Sequence, residues 1–258
     1  ILIAVDDRRQ SFPVHEILDC KMSGGDIVDL LTFYERQTGR INLDFLHPSW
    51  MIFSDGFRQN IVRQYIKRTI DMLVSIMLLI ITLPIMFFVA IAIYFESQGK
   101  GGILFKQIRV GENWKLFRMY KFRSMVPDAE SNGQPKWAEN ADNRITRVGK
   151  IIRKLRIDEL PQIINILQGE MSFVGPRPER PEFVEKLCEK IPYYAERHRV
   201  KPGLTGWAQI CYPYGSSEQD AIEKLQYDLY YVKNYSLFMD IAILLQTAEV
   251  ILWSKGAR

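Results

Sequence analysis

The chain has 258 residues, 47% of them apolar and 25% charged, and its 34 Lys and Arg against 30 Asp and Glu leave a net charge of +4. This composition excludes a disordered chain and supplies material for one full domain and a fragment of another. Cys20, Cys188 and Cys211 lack any paired spacing and His15, His47 and His198 are equally scattered, so neither a disulfide framework nor a zinc site is indicated, and reduced thiols suit the cytoplasm.

Residues 1–5 predict a strand, 14–22 a helix ending at Gly24-Gly25, Ile27-Val28 a short strand, 30–37 a second helix and 50–53 a last strand. Strands alternating with helices mark part of an α/β domain. Residues 1–60 carry six Lys or Arg and nine Asp or Glu, a net of −3, whereas residues 99–160 carry fourteen and seven, a net of +7. The basic half is therefore the membrane-facing candidate. Asp6-Asp7-Arg8-Arg9 follows the first strand without a glycine-rich turn, which argues against a dinucleotide site. The sequence starts in mid-domain and without methionine, so further residues are expected upstream.

Residues 72–95 form a run of 24 without a charge, interrupted only by Ser75 and Thr82 and preceded by Arg63, Lys67 and Arg68. Length and composition mark a membrane segment: a core helix apolar on every side would be unusual in a domain of this size, and a signal peptide would begin near residue 1. Pro84, near the middle, removes a backbone hydrogen bond and predicts a kink. Straight, the helix would reach ~36 Å; bent, each arm reaches ~18 Å against a hydrocarbon core of ~30 Å, so a kinked spanning helix and a re-entrant hairpin both fit.

Downstream, Gln107-Ile108-Arg109-Val110-Gly111 and Tyr120-Lys121-Phe122-Arg123-Ser124-Met125 interleave cations with aromatic and apolar residues, a pattern suited to anionic lipid or to nucleic acid. Residues 128–143, rich in Asn, Gly, Pro and charge, predict an exposed loop. Asp158-Glu159 stands behind Lys150, Arg153, Lys154 and Arg156 and just ahead of Pro161, which places the two acids at a helix N-terminus. There the free N–H groups and the dipole favour anions, so a phosphate could dock beside a carboxylate that would otherwise repel it; simple capping is the alternative. In Gly175-Pro176-Arg177-Pro178, after a helix ending at Gln168-Gly169, two prolines stiffen the backbone around Arg177, either as a phosphate or carboxylate clamp or as a rigid turn. Residues 201–209 are a glycine-punctuated loop, and residues 236–253 show helical spacing suited to the membrane interface or to packing on the core.

Taken in order, the basic-flanked proline-broken helix, Tyr120-Lys121-Phe122-Arg123-Ser124-Met125, Arg153 five residues before Asp158-Glu159, Met171-Ser172-Phe173-Val174-Gly175-Pro176-Arg177-Pro178 and Pro202-Gly203-Leu204-Thr205-Gly206-Trp207 resemble the bacterial monotopic phosphoglycosyltransferases, over roughly residues 63–255. The resemblance implies a membrane enzyme that moves a sugar-1-phosphate from a UDP-sugar to polyprenyl (undecaprenyl) phosphate and releases UMP, initiating assembly of exopolysaccharide or other glycoconjugate repeat units. In that family the aspartate of the dyad is the nucleophile that forms a covalent sugar-phosphate intermediate, and the glutamate helps to hold Mg²⁺. These roles fall on Asp158 and Glu159, which are also the candidate metal ligands. Lys121, Arg153 and Arg177 match functional basic positions that would bind substrate phosphate, and Gly175, Pro176, Pro178, Gly203, Thr205 and Trp207 fall in the substrate loops.

The chemistry agrees with these residue types. An aspartate with a reference pKa of ~3.9 is ionised at neutral pH and needs no general base. The obstacle is repulsion between an anionic nucleophile and a diphosphate, which calls for a metal ion and fixed cations. The chain departs from the family pattern twice. Leu83-Pro84 stands where many members have Ser-Pro, although Thr82 could bond a freed carbonyl, and Cys211-Tyr212-Pro213-Tyr214-Gly215 stands where many have Asn-Gly-Arg, so that arginine has no counterpart. Tyr-Pro-Tyr-Gly resembles long-form members associated with exopolysaccharide export.

The expected architecture is an α+β, mostly helical membrane-associated catalytic domain with a proline-kinked re-entrant helix, preceded by a fragment of an α/β, Rossmann-like domain. Residues 1–60 would be the fragment, 61–98 the basic linker and membrane helix, and 99–258 the catalytic domain. The implied location is the bacterial inner membrane with the catalytic domain on the cytoplasmic face, where nucleotide sugars are made. Expected partners are the UDP-sugar, undecaprenyl phosphate and membrane lipid, and a homodimer is compatible with the sequence. One rival is a catalytically silent scaffold that keeps dyad and loops as structure. The other is a membrane-tethered nucleic-acid binder, disfavoured by a net charge of only +4 and by the apolar anchor, so no nucleic-acid partner is expected.

Overall fold

The computed structural model describes residues 1–4, 13–57, 60–126, 144–213, 215 and 217–253. The expected loop at 128–143, the Asp6-Asp7-Arg8-Arg9 stretch and Tyr214 lie outside the described residues. The fold is mostly helical, with small two-stranded sheets and one long apolar helix.

The N-terminal part begins with a β-α-β unit two residues wide: β1 (Leu2–Ile3), α1 (Val14–Met22) and β2 (Val28–Asp29), with β1 and β2 parallel. Asp29 caps α2 (Leu30–Thr38) by accepting from the Thr32 amide at 2.9 Å, and Gly39 ends it in the left-handed region at φ 64. The expected strand at 50–53 is instead the end of a short helix, α3 (Pro48–Phe53). Pro48 sits at its first position behind an extended His47, where the missing N–H is harmless, and this outweighs the strand preference of a short aromatic and β-branched run. Leu31, Ile41 and Leu46 are buried in one cluster with Val110, Val184, Ile191, Leu225 and Leu229, so residues 30–57 pack into the core of the chain that follows.

Asn60 caps α4 (Ile61–Glu96), a helix of 36 residues that starts eleven residues before the apolar run and continues through Pro84 without a break. Pro84 deprives the Ile80 carbonyl of its helical donor, but Thr82 Oγ1 donates to Leu78 at 2.7 Å and does not serve that freed carbonyl. One stripe of α4 faces the domain: Asp71, Ser75 and Ile93 are buried, Val74 and Leu78 pack against the cluster that holds Phe117 and Met119, and Met86, Val89 and Ala90 against the cluster of Ile93, Phe122 and Ile152. The opposite face exposes Ile80, Ile81, Phe87 and Phe88. Arg63, Lys67 and Arg68, expected to flank a membrane, are bonded into the domain. Arg63 donates to the Tyr235 carbonyl, Lys67 pairs with Asp240 at 2.6 Å, and Arg68 donates to the carbonyls of Ile166 and Leu167. At the other end, the Glu96 carboxylate accepts from the amides of Arg147 and Val148 at 2.7 and 3.2 Å. Both ends of a helix ~54 Å long therefore rest on the same domain.

The domain itself starts with an antiparallel hairpin, β3 (Leu104–Val110) and β4 (Leu116–Phe122). Then follow α5 (Arg147–Lys154), a 3₁₀ turn (Ile157–Glu159), α6 (Gln162–Gln168), β5 (Ser172–Val174), α7 (Pro181–Lys190), β6 (Gly203–Thr205), α8 (Trp207–Cys211), α9 (Glu218–Asn234) and α10 (Leu237–Trp253). Parallel pairing of β5 with β6 brings two loops together. A Cβ at Gly203 would stand 2.1 Å from the Gly175 amide nitrogen, so this approach needs glycine. In α10, Ile243 is buried in the core while Phe238, Ile241 and Leu245 are exposed.

Candidate active site

Alternation along the hairpin decides which cations face inward. Lys121 is paired with Phe105 and Arg109 with Phe117, so both cations lie on the same hairpin face as the buried Met119. Arg109 donates to the Pro178 carbonyl at 3.1 Å. Arg109, Met119, Lys121, Gln162, Arg177, Pro178 and Gly203 line one cleft.

A backbone device brings Glu159 of the dyad against two of these residues, Lys121 and Arg177. After α5, Arg156 adopts the left-handed conformation (φ 58) and turns the chain into the 3₁₀ turn that carries Asp158 and Glu159. Pro161 caps α6 rather than lying inside it, so the acids sit one turn ahead of that helix. Glu159 Oε1 accepts from Lys121 Nζ at 2.8 Å and lies 3.6 Å from Arg177 Nη2. Asp158, the preceding residue, is 9% exposed.

These neighbours push the two carboxyls apart. Burial works to raise Glu159, but the charges of Lys121 and Arg177 and the Lys121 hydrogen bond outweigh it and hold the group at about 2. Asp158 is raised, first by burial and then by the charge of Glu159, with Lys121, Arg153 and Arg156 opposing. Lys121 is lowered by burial and by Arg177, while Glu159 pulls it back. Glu159 is thus a fixed anion between two cations, and Asp158 is the more basic carboxylate of the pair.

Of the expected site residues, Lys121, Glu159 and Arg177 meet directly, Asp158 adjoins them, and Arg153 acts on Asp158 from the last turn of α5. Pro178 and Gly203 reach the cleft, while Gly175 donates to the Thr205 carbonyl and Pro176 accepts from the Gly203 amide, both at 2.9 Å. The side chains of Thr205 and Trp207 turn elsewhere. Thr205 Oγ1 lies 2.8 Å from Thr247 Oγ1 of α10, and Trp207 Nε1 donates to the Gly39 carbonyl at 2.7 Å. Arg109 and Gln162 line the cleft without having been expected there, and only the period-2 pairing of Arg109 with Phe117 could have signalled the former. Beneath Arg177 lies a buried ion pair that the sequence did not announce, Arg197 with Asp228 at 2.7 Å.

The expected metal is Mg²⁺. That ion is commonly bound by one or two carboxylates together with substrate phosphates and water, and Asp158 with the ionised Glu159 supplies such a pair. Among the described residues no third His, Cys, Asp or Glu joins them.

Residues 62–254 match the family described as bacterial sugar transferase. The chain is 40% identical over 239 residues to the UDP-N-acetylgalactosamine-undecaprenyl-phosphate N-acetylgalactosaminephosphotransferase of Aeromonas hydrophila, covering 93% of this chain and 55% of that protein. It is 40% identical over 196 residues to the undecaprenyl-phosphate glucose phosphotransferase of Komagataeibacter xylinus, covering 74% and 36% of the two chains. It is 39% identical over 208 residues to the undecaprenyl-phosphate galactose phosphotransferase of Salmonella typhimurium, covering 75% and 42%. The chain spans from about a third to about half the length of these relatives.

Proposed function

Because the chain belongs to the bacterial sugar transferase family, we propose that it transfers a sugar-1-phosphate from a UDP-sugar to undecaprenyl phosphate, releasing UMP and starting a glycan repeat unit. The observation that carries this reading is that two cations of the cleft, Lys121 and Arg177, converge on Glu159, next in the chain to the buried Asp158.

The Asp158 carboxylate attacks the phosphorus that bears the sugar, a bond forms from its oxygen, and the bridge to the second phosphate breaks with its electron pair leaving on UMP. The lipid phosphate oxygen then attacks the same phosphorus and displaces Asp158. Burial and Glu159 raise the basicity of Asp158, which strengthens it as a nucleophile. Lys121 and Arg177 hold phosphate oxygens and offset developing charge, with Arg153 adding to the positive field. Neither step takes a proton from the attacking group, consistent with a site built without histidine. Asp158 and Glu159 would hold Mg²⁺, which when bound supplies neutralisation of diphosphate charge.

Membrane association follows the same logic. With Arg63, Lys67, Arg68 and Glu96 all bonded to one domain, the apolar helix enters and leaves by the face on which that domain lies, the cytoplasmic one for a nucleotide-sugar user. The exposed face of α4, with Phe238, Ile241 and Leu245 of α10, would meet lipid. Purified protein incubated with undecaprenyl phosphate and a panel of UDP-sugars should release UMP with at least one donor. Lack of release across the panel would favour the silent scaffold instead.

A further inference from the structure

Residues 29–57 precede the stretch matched to the family, yet they are bonded to it at several points. Both Glu35 oxygens are engaged at the end of α9, one by Lys233 Nζ and the other by Asn234 Nδ2 at 2.6 Å. The Glu35–Lys233 pair is almost wholly buried. Arg40 pairs with Glu223 at 2.9 Å, and the Ile41 amide donates to the Gln226 carbonyl at 3.1 Å. At the C-cap of α2, Gly39 receives the indole N–H of Trp207 at 2.7 Å. Gly39 is constrained twice there: its φ is 64, and a Cβ would stand 3.2 Å from Trp207 Cζ2.

Trp207 is the second residue after β6. From β6 the hydrogen bonds run directly to the cleft: Gly203 donates to Pro176, Gly175 donates to Thr205, and Gly203 itself lines the cleft with Arg177 and Lys121. We propose that residues 29–57 are a clasp that sets the position of the 203–207 loop, and through it Pro176 and Arg177, by seating the Trp207 indole on Gly39. Gly39 and Glu35 are then positioning residues that touch no substrate. The kinetic consequence rests on the proposed transferase reading, whereas the placement of the loop does not.

Two substitutions in the full chain separate a clasp from an ordinary helix cap. Gly39→Ala introduces both a strained left-handed φ and a Cβ against Trp207; Gly39→Asn keeps the Cβ but is tolerated in the left-handed region. If Gly39 matters only as a cap, Gly39→Asn restores wild-type behaviour. If it seats Trp207, both variants loosen the loop while the fold persists. Amide hydrogen exchange at residues 203–209 should then quicken in both, with α6 unchanged, whether or not a donor is known. With an active donor, kcat/KM for the nucleotide sugar should fall about tenfold, less than the ~100-fold that a 1 Å misplacement can cost, while KM for the lipid stays constant. Wild-type exchange at 203–209 in Gly39→Asn would overturn the clasp, and so would wild-type donor kinetics in a variant whose loop has loosened. Absence of turnover in the unsubstituted chain would count against the transferase reading and leave the exchange result to decide the clasp.

Discussion

The guanidinium of Arg197 lies 3.0 Å from the backbone carbonyl oxygen of Arg177, and the same group is held by Asp228 and by the Tyr194 hydroxyl, each at 2.7 Å. A buried ion pair thus supports the proline-flanked arginine from below. Asp228→Ala strands the Arg197 charge and should destabilise the fold by about 3–5 kcal/mol, read by denaturant unfolding in detergent. Replacing the pair together, Arg197→Met with Asp228→Leu, should recover most of that stability, since well-packed apolar residues often substitute for such pairs. Turnover should stay depressed, because the Arg177 carbonyl has lost its donor. A double variant both stable and fully active would show that Arg177 is placed without this pair.

Stability and catalysis should oppose each other at Asp158. Burial and the Glu159 charge raise its folded pKa above the unfolded value, so its stabilising contribution is present at low pH and is lost as pH rises through the folded pKa. At neutral pH the ionised carboxylate is a net cost to the fold. Asp158→Asn should therefore abolish UMP release and also raise the melting temperature at neutral pH, with the advantage shrinking in acid. Turnover near the wild-type rate would remove Asp158 from the nucleophile role. A lowered melting temperature would show instead that the surrounding cations dominate.

Glu159 should behave in the opposite sense. Its folded pKa of about 2 lies below the ordinary carboxyl value of 4.5, so its contribution is complete above that value and is lost as pH falls from there towards 2. Glu159→Gln should lose stability at pH 7, because Lys121 is left as a buried cation without its anion, and the gap to the unsubstituted chain should narrow steadily in acid. A gap that is the same at pH 3 and pH 7 would mean that the Lys121 pair contributes no stability.

Signals in the sequence differed in how far they carried. The 14–22 helix and the apolar run were legible because glycines and uninterrupted hydropathy are local properties. The 50–53 segment was misread because four apolar residues carry no period, and Pro48 at a helix start was the overlooked cue. Lys121, Glu159 and Arg177 lie 38 and 18 residues apart, and no spacing rule joins them; the family resemblance did. The partners of Arg63, Lys67 and Arg68 were hidden for a general reason. A cation on one helix and the carbonyls or carboxylate it meets on another share no pattern in sequence, so a docked basic cluster looks identical to a membrane flank. Arg197 was hidden in the same way, within a polar run.

Topology gives the last prediction. A helix ~54 Å long could cross ~30 Å of hydrocarbon, but crossing would put its two ends on opposite sides. Lys67 is paired with Asp240 and Arg68 with the end of α6, while Glu96 caps α5, and all three partners belong to one domain. Separating the ends would break at least one of these sets and pull buried polar groups into lipid. Cations stand on both flanks, Arg63, Lys67 and Arg68 before the run and Lys100, Lys106 and Arg109 after it, and give no bias for a spanning orientation, so the docking geometry carries the case. With Cys20, Cys188 and Cys211 replaced, single cysteines at Ile61 and Lys100 report the two ends of α4. In intact cells both should resist a membrane-impermeant thiol reagent, and both should label once the membrane is opened. Labelling of one site alone in intact cells would establish a spanning helix and require α4 to leave the domain it is packed against.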